Sequence, residues 1–137
     1  MNSNKLVNGY ALINLLYELM FLDENGVVAT NIEWGKPEFV EKVIRNFVLP
    51  RHAAFTDETK QVIKNTLGYL LATEAENSEL WEVIWQACSA PIPTPRGIRA
   101  FMLQCYETLF PGELLPTESS IKSFHVNHSA QMANRLN

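Results

Sequence analysis

The sequence predicts an all-α fold, a compact bundle of five to six helices. Three observations lead there. Apolar residues recur at three- and four-residue spacing through most of the chain. Capping and breaking residues, Thr56, Ser78, Pro50 and Pro111-Gly112 among them, punctuate that pattern. A chain of 137 residues with 47% apolar and 19% charged content can bury one core without metal or disulfide staples. The helices are expected in consecutive antiparallel hairpins. A weak correspondence at shifts of about 40 residues, Phe39 with Leu80 and Val62 with Phe101, allows a HEAT-like arrangement.

The first helix is expected from Asn4, its cap, to Leu22, with Leu6, Tyr10, Ile13, Leu16, Tyr17 and Met20 among its buried residues. A helix apolar over most of its circumference belongs at the centre of a bundle. Asp23-Glu24-Asn25-Gly26 ends it, and Val27 to Trp34 reads as irregular or as a short extended segment. Pro37 opens the second helix, where its missing N–H costs nothing. Phe39, Val40, Val43, Ile44 and Phe47 line it until Pro50 stops the run. Arg51 and His52 then fall where positive charge suits a helix carboxyl end.

Thr56 caps the third helix, with Asp57 and Glu58 in its first turn and Val62, Ile63, Leu67, Leu70 and Leu71 inward. Ser78 caps the fourth, which runs to about Cys88. On its wheel Leu80, Val83, Ile84 and Ala87 face the core, Glu79, Glu82 and Gln86 face out, and Trp85 stands at the border. Pro91, Pro93 and Pro95 make a stiff connection. Thr94 is the expected cap of the fifth helix, whose stripe is Ile98, Phe101, Met102, Cys105 and Leu109. Residues 1–116 thus form a helical domain. Residues 117–137 form a polar segment, weakly helical or loosely packed on that domain, with Ile121, Phe124, His128 and Met132 on one face of a last helix.

Most catalytic and cofactor chemistries lack their residues. All the glycines are isolated, so there is no phosphate-cradling loop and no dinucleotide fingerprint. His125 and His128 at helical spacing could supply two metal ligands, short of the three or four that a zinc site takes. They read as surface histidines, and no metal or cofactor is expected. Cys88 and Cys105 read as buried apolar side chains, with their thiols on the order of 15 Å apart if their helices form a hairpin. Carboxylate pairs such as Glu38 and Glu41 lie on solvated helix faces, which do not raise a pKa for acid–base work. The chain is not expected to be an enzyme.

Partners are bounded by charge and hydropathy. A pI near 5.3 with dispersed basic residues argues against nucleic acid, Arg96 and Arg99 being the nearest thing to a cluster. No apolar run is longer than that at Leu19–Leu22, far short of the roughly 20 residues of a membrane span. Lys5 and the apolar residues after it imitate a signal peptide, but Asn14 and Glu18 interrupt the core, so a cytoplasmic location is expected.

One stretch carries the whole net charge of −4. Asn65 to Pro95 contains no Lys or Arg, only Glu74, Glu76, Glu79 and Glu82, and outside it 11 basic residues meet 11 acidic ones. Charge of one sign beside Trp81 and Trp85 suits contact with a basic protein. Glu74, Glu76, Glu79, Glu82 and Trp85 are therefore the candidate partner-binding residues. In its general traits, small, acidic, helical and without catalytic residues, the chain is similar to bacterial immunity proteins. That similarity implies an inhibitor that neutralises a basic partner such as a toxin nuclease. Alternatives are a helical scaffold or adaptor, and a small-molecule-binding bundle using Tyr10, Tyr17, Phe47 and Tyr69.

Overall fold

The computed structural model describes residues 5–136, and the expected cap Asn4 lies outside them. The molecule is mostly helical. In chain order its elements are β1 (Leu6–Val7), α1 (Ala11–Leu15), a 3₁₀ segment (Tyr17–Phe21), α2 (Asn31–Trp34), α3 (Pro37–Val43), α4 (Leu49–Ala54) and α5 (Asp57–Thr73). Then follow α6 (Glu79–Cys88), α7 (Ile98–Leu109), α8 (Glu118–Ile121), β2 (His125–Val126) and α9 (Ala130–Ala133). No described helix is long and apolar enough to cross a membrane.

The two long helices, α5 and α7, pack on each other and organise the rest. α5 also carries β1 and α1, while α7 touches α3, α4 and α6. One continuous core joins Leu12 and Leu15 of α1, Ile63 and Leu67 of α5, and Met102 and Cys105 of α7. Every inward residue expected on α5 and α7 is buried. Of the expected consecutive pairs α6 lies against α7, and the remaining contacts centre on α5 and α7.

Thr56 caps α5 by accepting the Thr59 amide at 3.3 Å, and Ser78 caps α6 by accepting that of Leu80 at 3.2 Å. Five local expectations need correction. The first helix does not begin at residue 4. Leu6 and Val7 are extended, Asn8-Gly9 makes a turn, and helical structure starts at Ala11 and tightens to 3₁₀ from Tyr17. Leu12, Leu15, Leu19 and Leu22 are buried, whereas Tyr17 is 43% exposed.

Pro50 does not stop the second helix. The backbone widens into a π turn at Ile44–Val48 and continues as α4, with Pro50 in its first turn. The wider turn accommodates a residue that has no N–H and a bulky ring.

On α6 the buried stripe is Trp81, Ile84 and Cys88, and Val83 and Ala87 are exposed. The large Trp81 and Ile84, one turn apart, outweigh the smaller residues of the neighbouring face. α7 is capped by Gly97 rather than Thr94. Residues 94–97 close a turn, with the Gly97 amide on the Thr94 carbonyl at 2.9 Å and Gly97 at φ +94°.

The polar segment is tied to the start of the chain. β2 pairs in parallel with β1, Leu6 opposite His125 and Val7 opposite Val126. His125 and His128 therefore lie on a strand and the loop after it, not on one helix face.

Candidate functional site

The candidate site is α6 and the loop that leads into it. α6 forms because Ser78 caps it, Glu79 and Glu82 face its positive end, and Trp81, Ile84 and Cys88 give it a buried stripe. Its outer face is Glu79, Glu82, Val83, Gln86 and Ala87, all exposed. Val83 is 47% exposed, next to Glu79 on the side away from Glu82. Trp81 is fully buried, and its indole N–H has no partner among the described residues. Trp85 is half-buried, its ring edge-on to Phe101 with 5.2 Å between centroids.

The four glutamates do not act alike. Glu74 accepts the Ser78 hydroxyl at 2.5 Å, closing the loop before α6. Glu76 lies against the Cα of Gly97 at the start of α7. Glu79 and Glu82 point outward. Among the described residues none of the four forms an ion pair; the pairs present are Arg45–Glu41, Arg51–Glu18 and Lys64–Glu113. The fold does bring one cation to this region. Arg99 donates to the Leu71 carbonyl at 2.6 Å, satisfying an orphan carbonyl in the last turn of α5. The Arg96–Arg99 pair is thereby divided between solvent and an internal bond.

Other candidates are structural. His52 is buried in α4 with its ring edge-on to Phe110, and its Nε2 has no partner among the described residues. Burial first, and the charge of Lys60 second, hold its pKa below the ordinary value, so it does not supply a positive helix end. Arg51 turns back instead: Nε donates to the Asn14 carbonyl at 2.5 Å and Nη2 to the Asn14 side chain at 2.7 Å, with the guanidinium over Tyr17.

Cys88 and Cys105 are both buried free thiols. Burial pushes Cys88 up to about 12. Cys105 is pushed up further, by burial and then by Cys88 itself. Thiols so raised are not nucleophiles near neutrality.

The aromatic residues of the small-molecule reading lie in separate places. Tyr10 and Tyr17 line a groove beside α9, Phe47 borders another with Pro50 and Arg51, and Tyr69 stands edge-on to Phe124. The aromatic residues proposed for a ligand therefore do not converge. The cleft between Trp34, Val40, Pro93, Pro95, Phe101 and Gln104 has about 20 Å³, room for a water but not for an organic ligand. Among the described residues no three His, Cys, Asp or Glu side chains converge as metal ligands.

Sequence reasoning missed a polar junction where the two ends of the chain meet α5. Asn8 is fully buried; its amide donates to Thr66 Oγ1 at 3.0 Å, and its side chain exchanges bonds with the backbone of Ser129. The Gly9 amide donates to His128 Nδ1 at 2.8 Å. The Asn8-Gly9 turn signal could have revealed the break; nothing local could have revealed the partners. No family model, curated protein or solved structure matches this chain.

Proposed function

We propose that this chain is a protein-binding domain that receives a basic protein on the outer face of α6, in the manner of an inhibitor of the immunity type. The carrying observation is that Glu79 and Glu82 are exposed and without cation partners among the described residues, with the exposed apolar Val83 beside them. An apolar centre with charge of one sign at its rim supplies both affinity and steering. Glu74 and Glu76 add to the field from the loop while serving the fold, and Trp85 of α6 anchors the face on Phe101 of α7. Blocking a basic active site requires only such a surface and no chemistry from the inhibitor.

The test is capture from the native host's lysate with the wild-type chain and with Glu79→Lys/Glu82→Lys, each washed at rising salt. A basic protein retained by the wild type, lost from the double variant and released by salt is the expected result. Equal retention by both chains, or retention indifferent to salt, would sink this face as the site.

A further inference from the structure

The seam between the two ends of the chain is short and mostly polar. Two residues pair on each strand, the Asn127 amide donates to the Val7 carbonyl at 2.9 Å, and Asn8 and Ser129 exchange two bonds at 2.9 and 3.1 Å. Apolar burial reinforces it only in part: within residues 118–136 Ala133 is buried, Met132 and Leu136 pack partly against the core, and the Asn14 side chain donates to the Leu136 carbonyl at 3.2 Å. His128 is the titratable member. Its Nδ1 accepts the Gly9 amide proton at 2.8 Å, so that nitrogen is unprotonated and the ring is neutral.

We propose that this seam is a pH-operated latch: protonation of His128 breaks its bond to Gly9 and releases the segment from β2 through α9 from the N-terminal strand. An imidazolium has a proton on both nitrogens, so Nδ1–H would confront the Gly9 N–H, donor against donor. Gly9 is buried, and its amide is then left without an acceptor. With so few other bonds across the seam, the segment separates more readily than the core unfolds.

The groups facing His128 agree with this. Glu74, at the end of α5, is the charged group acting on it, and its carboxylate favours the imidazolium. Ile84 from α6 packs beside Gly9, and Asn8 and Ser129 complete the surroundings; none of these titrates. Burial outweighs Glu74 and holds the His128 pKa below its ordinary value. The latch is therefore closed above about pH 6.5 and opens as pH falls through the lower value. His125, exposed on β2, makes no side-chain bond among the described residues and serves as a control.

The experiment is amide hydrogen exchange of the full chain by NMR at about pH 7.5 and about pH 5, each rate divided by its intrinsic rate. Protection of Gly9 and Asn127 should fall about tenfold or more at the lower pH while Leu67 in α5 keeps its own. His128→Gln, whose side-chain oxygen can accept the Gly9 proton without titrating, should abolish the response, and His125→Gln should keep it. A second reading uses no variant: the His128 ring nitrogens and the Gly9 amide should titrate with one midpoint. Unchanged protection in the wild type, a full response in His128→Gln, or separate midpoints would each overturn the latch.

Discussion

The carboxylate of Glu76 occupies the space that a Cβ on Gly97 would fill. Gly97 has φ +94° and directly precedes α7, so the carboxylate sits at the positive end of a 12-residue helix. One of the four glutamates expected to serve a partner therefore also serves the fold. Gly97→Ala should cost about 1–3 kcal/mol in urea unfolding, from the strained φ and the displaced carboxylate together. Glu76→Ala in the same chain should recover the steric part and leave the backbone part. A neutral Gly97→Ala would contradict this geometry.

Thr66 holds the start of the chain onto α5. Its Oγ1 accepts the buried Asn8 amide at 3.0 Å and donates to the Val62 carbonyl at 2.6 Å. Thr66→Val matches its shape but leaves the Asn8 N–H unpaired, which should cost about 1–3 kcal/mol. Thr66→Ser keeps the oxygen and gives up only a methyl, about 1 kcal/mol. Chemical denaturation of the pair should show the valine as the worse substitution, although it is the more apolar.

Acid should destabilise the fold through its imidazoles. Burial depresses the folded-state pKa of His52, and of His128 where Glu74 opposes it, so both favour the neutral form relative to the unfolded chain. Their contribution is complete above the unfolded value near 6.5 and is lost as pH falls through the folded values. Unfolding free energy measured from about pH 7.5 to about pH 5 should decline. His52→Gln should reduce the slope by no more than one proton's worth. A flat profile in the wild type would be inconsistent with two imidazoles that the fold holds neutral.

The thiols should be silent in the native state. With Cys88 pushed up to about 12 and Cys105 higher, neither supplies thiolate at about pH 8. Labelling by a chromogenic disulfide should proceed at the rate of unfolding and reach two thiols per chain only in denaturant. A thiol that reacts within seconds in buffer would show that its helix opens or that it is more exposed than the packing allows.

Legibility in the sequence followed the range of the interactions. The caps at Thr56 and Ser78, the stripes of α5 and α7 and the outward glutamates of α6 depend on residues a turn apart, and periodicity reveals them. Two local signals were present and outvoted. Asn8-Gly9 marks a turn inside an apolar run, and Thr30–Glu33 is a capping pattern for α2, where the Thr30 amide and hydroxyl both donate to the Glu33 carboxylate at 2.6 and 2.7 Å. The π turn that absorbs Pro50 has no short-range signature. Arg99 on Leu71, Glu76 on Gly97 and His128 on Gly9 arise only when distant segments meet. These contacts decide which charges remain for a partner, so the composition of the candidate face was legible but its internal use was not.

The parallel pairing of β1 with β2 also orders events during synthesis. Gly9 and the histidine that accepts its amide are 119 residues apart, so β1 leaves the ribosome well before the strand it pairs with. At about 5–20 residues per second, that separation keeps β1 waiting roughly 6–24 s for its partner strand. Closing so long a loop by itself carries an entropic penalty, which α5 offsets by holding Asn8 through Thr66 beforehand. The nascent chain can thus assemble its helical core while Leu6 and Val7 still present an unpaired edge.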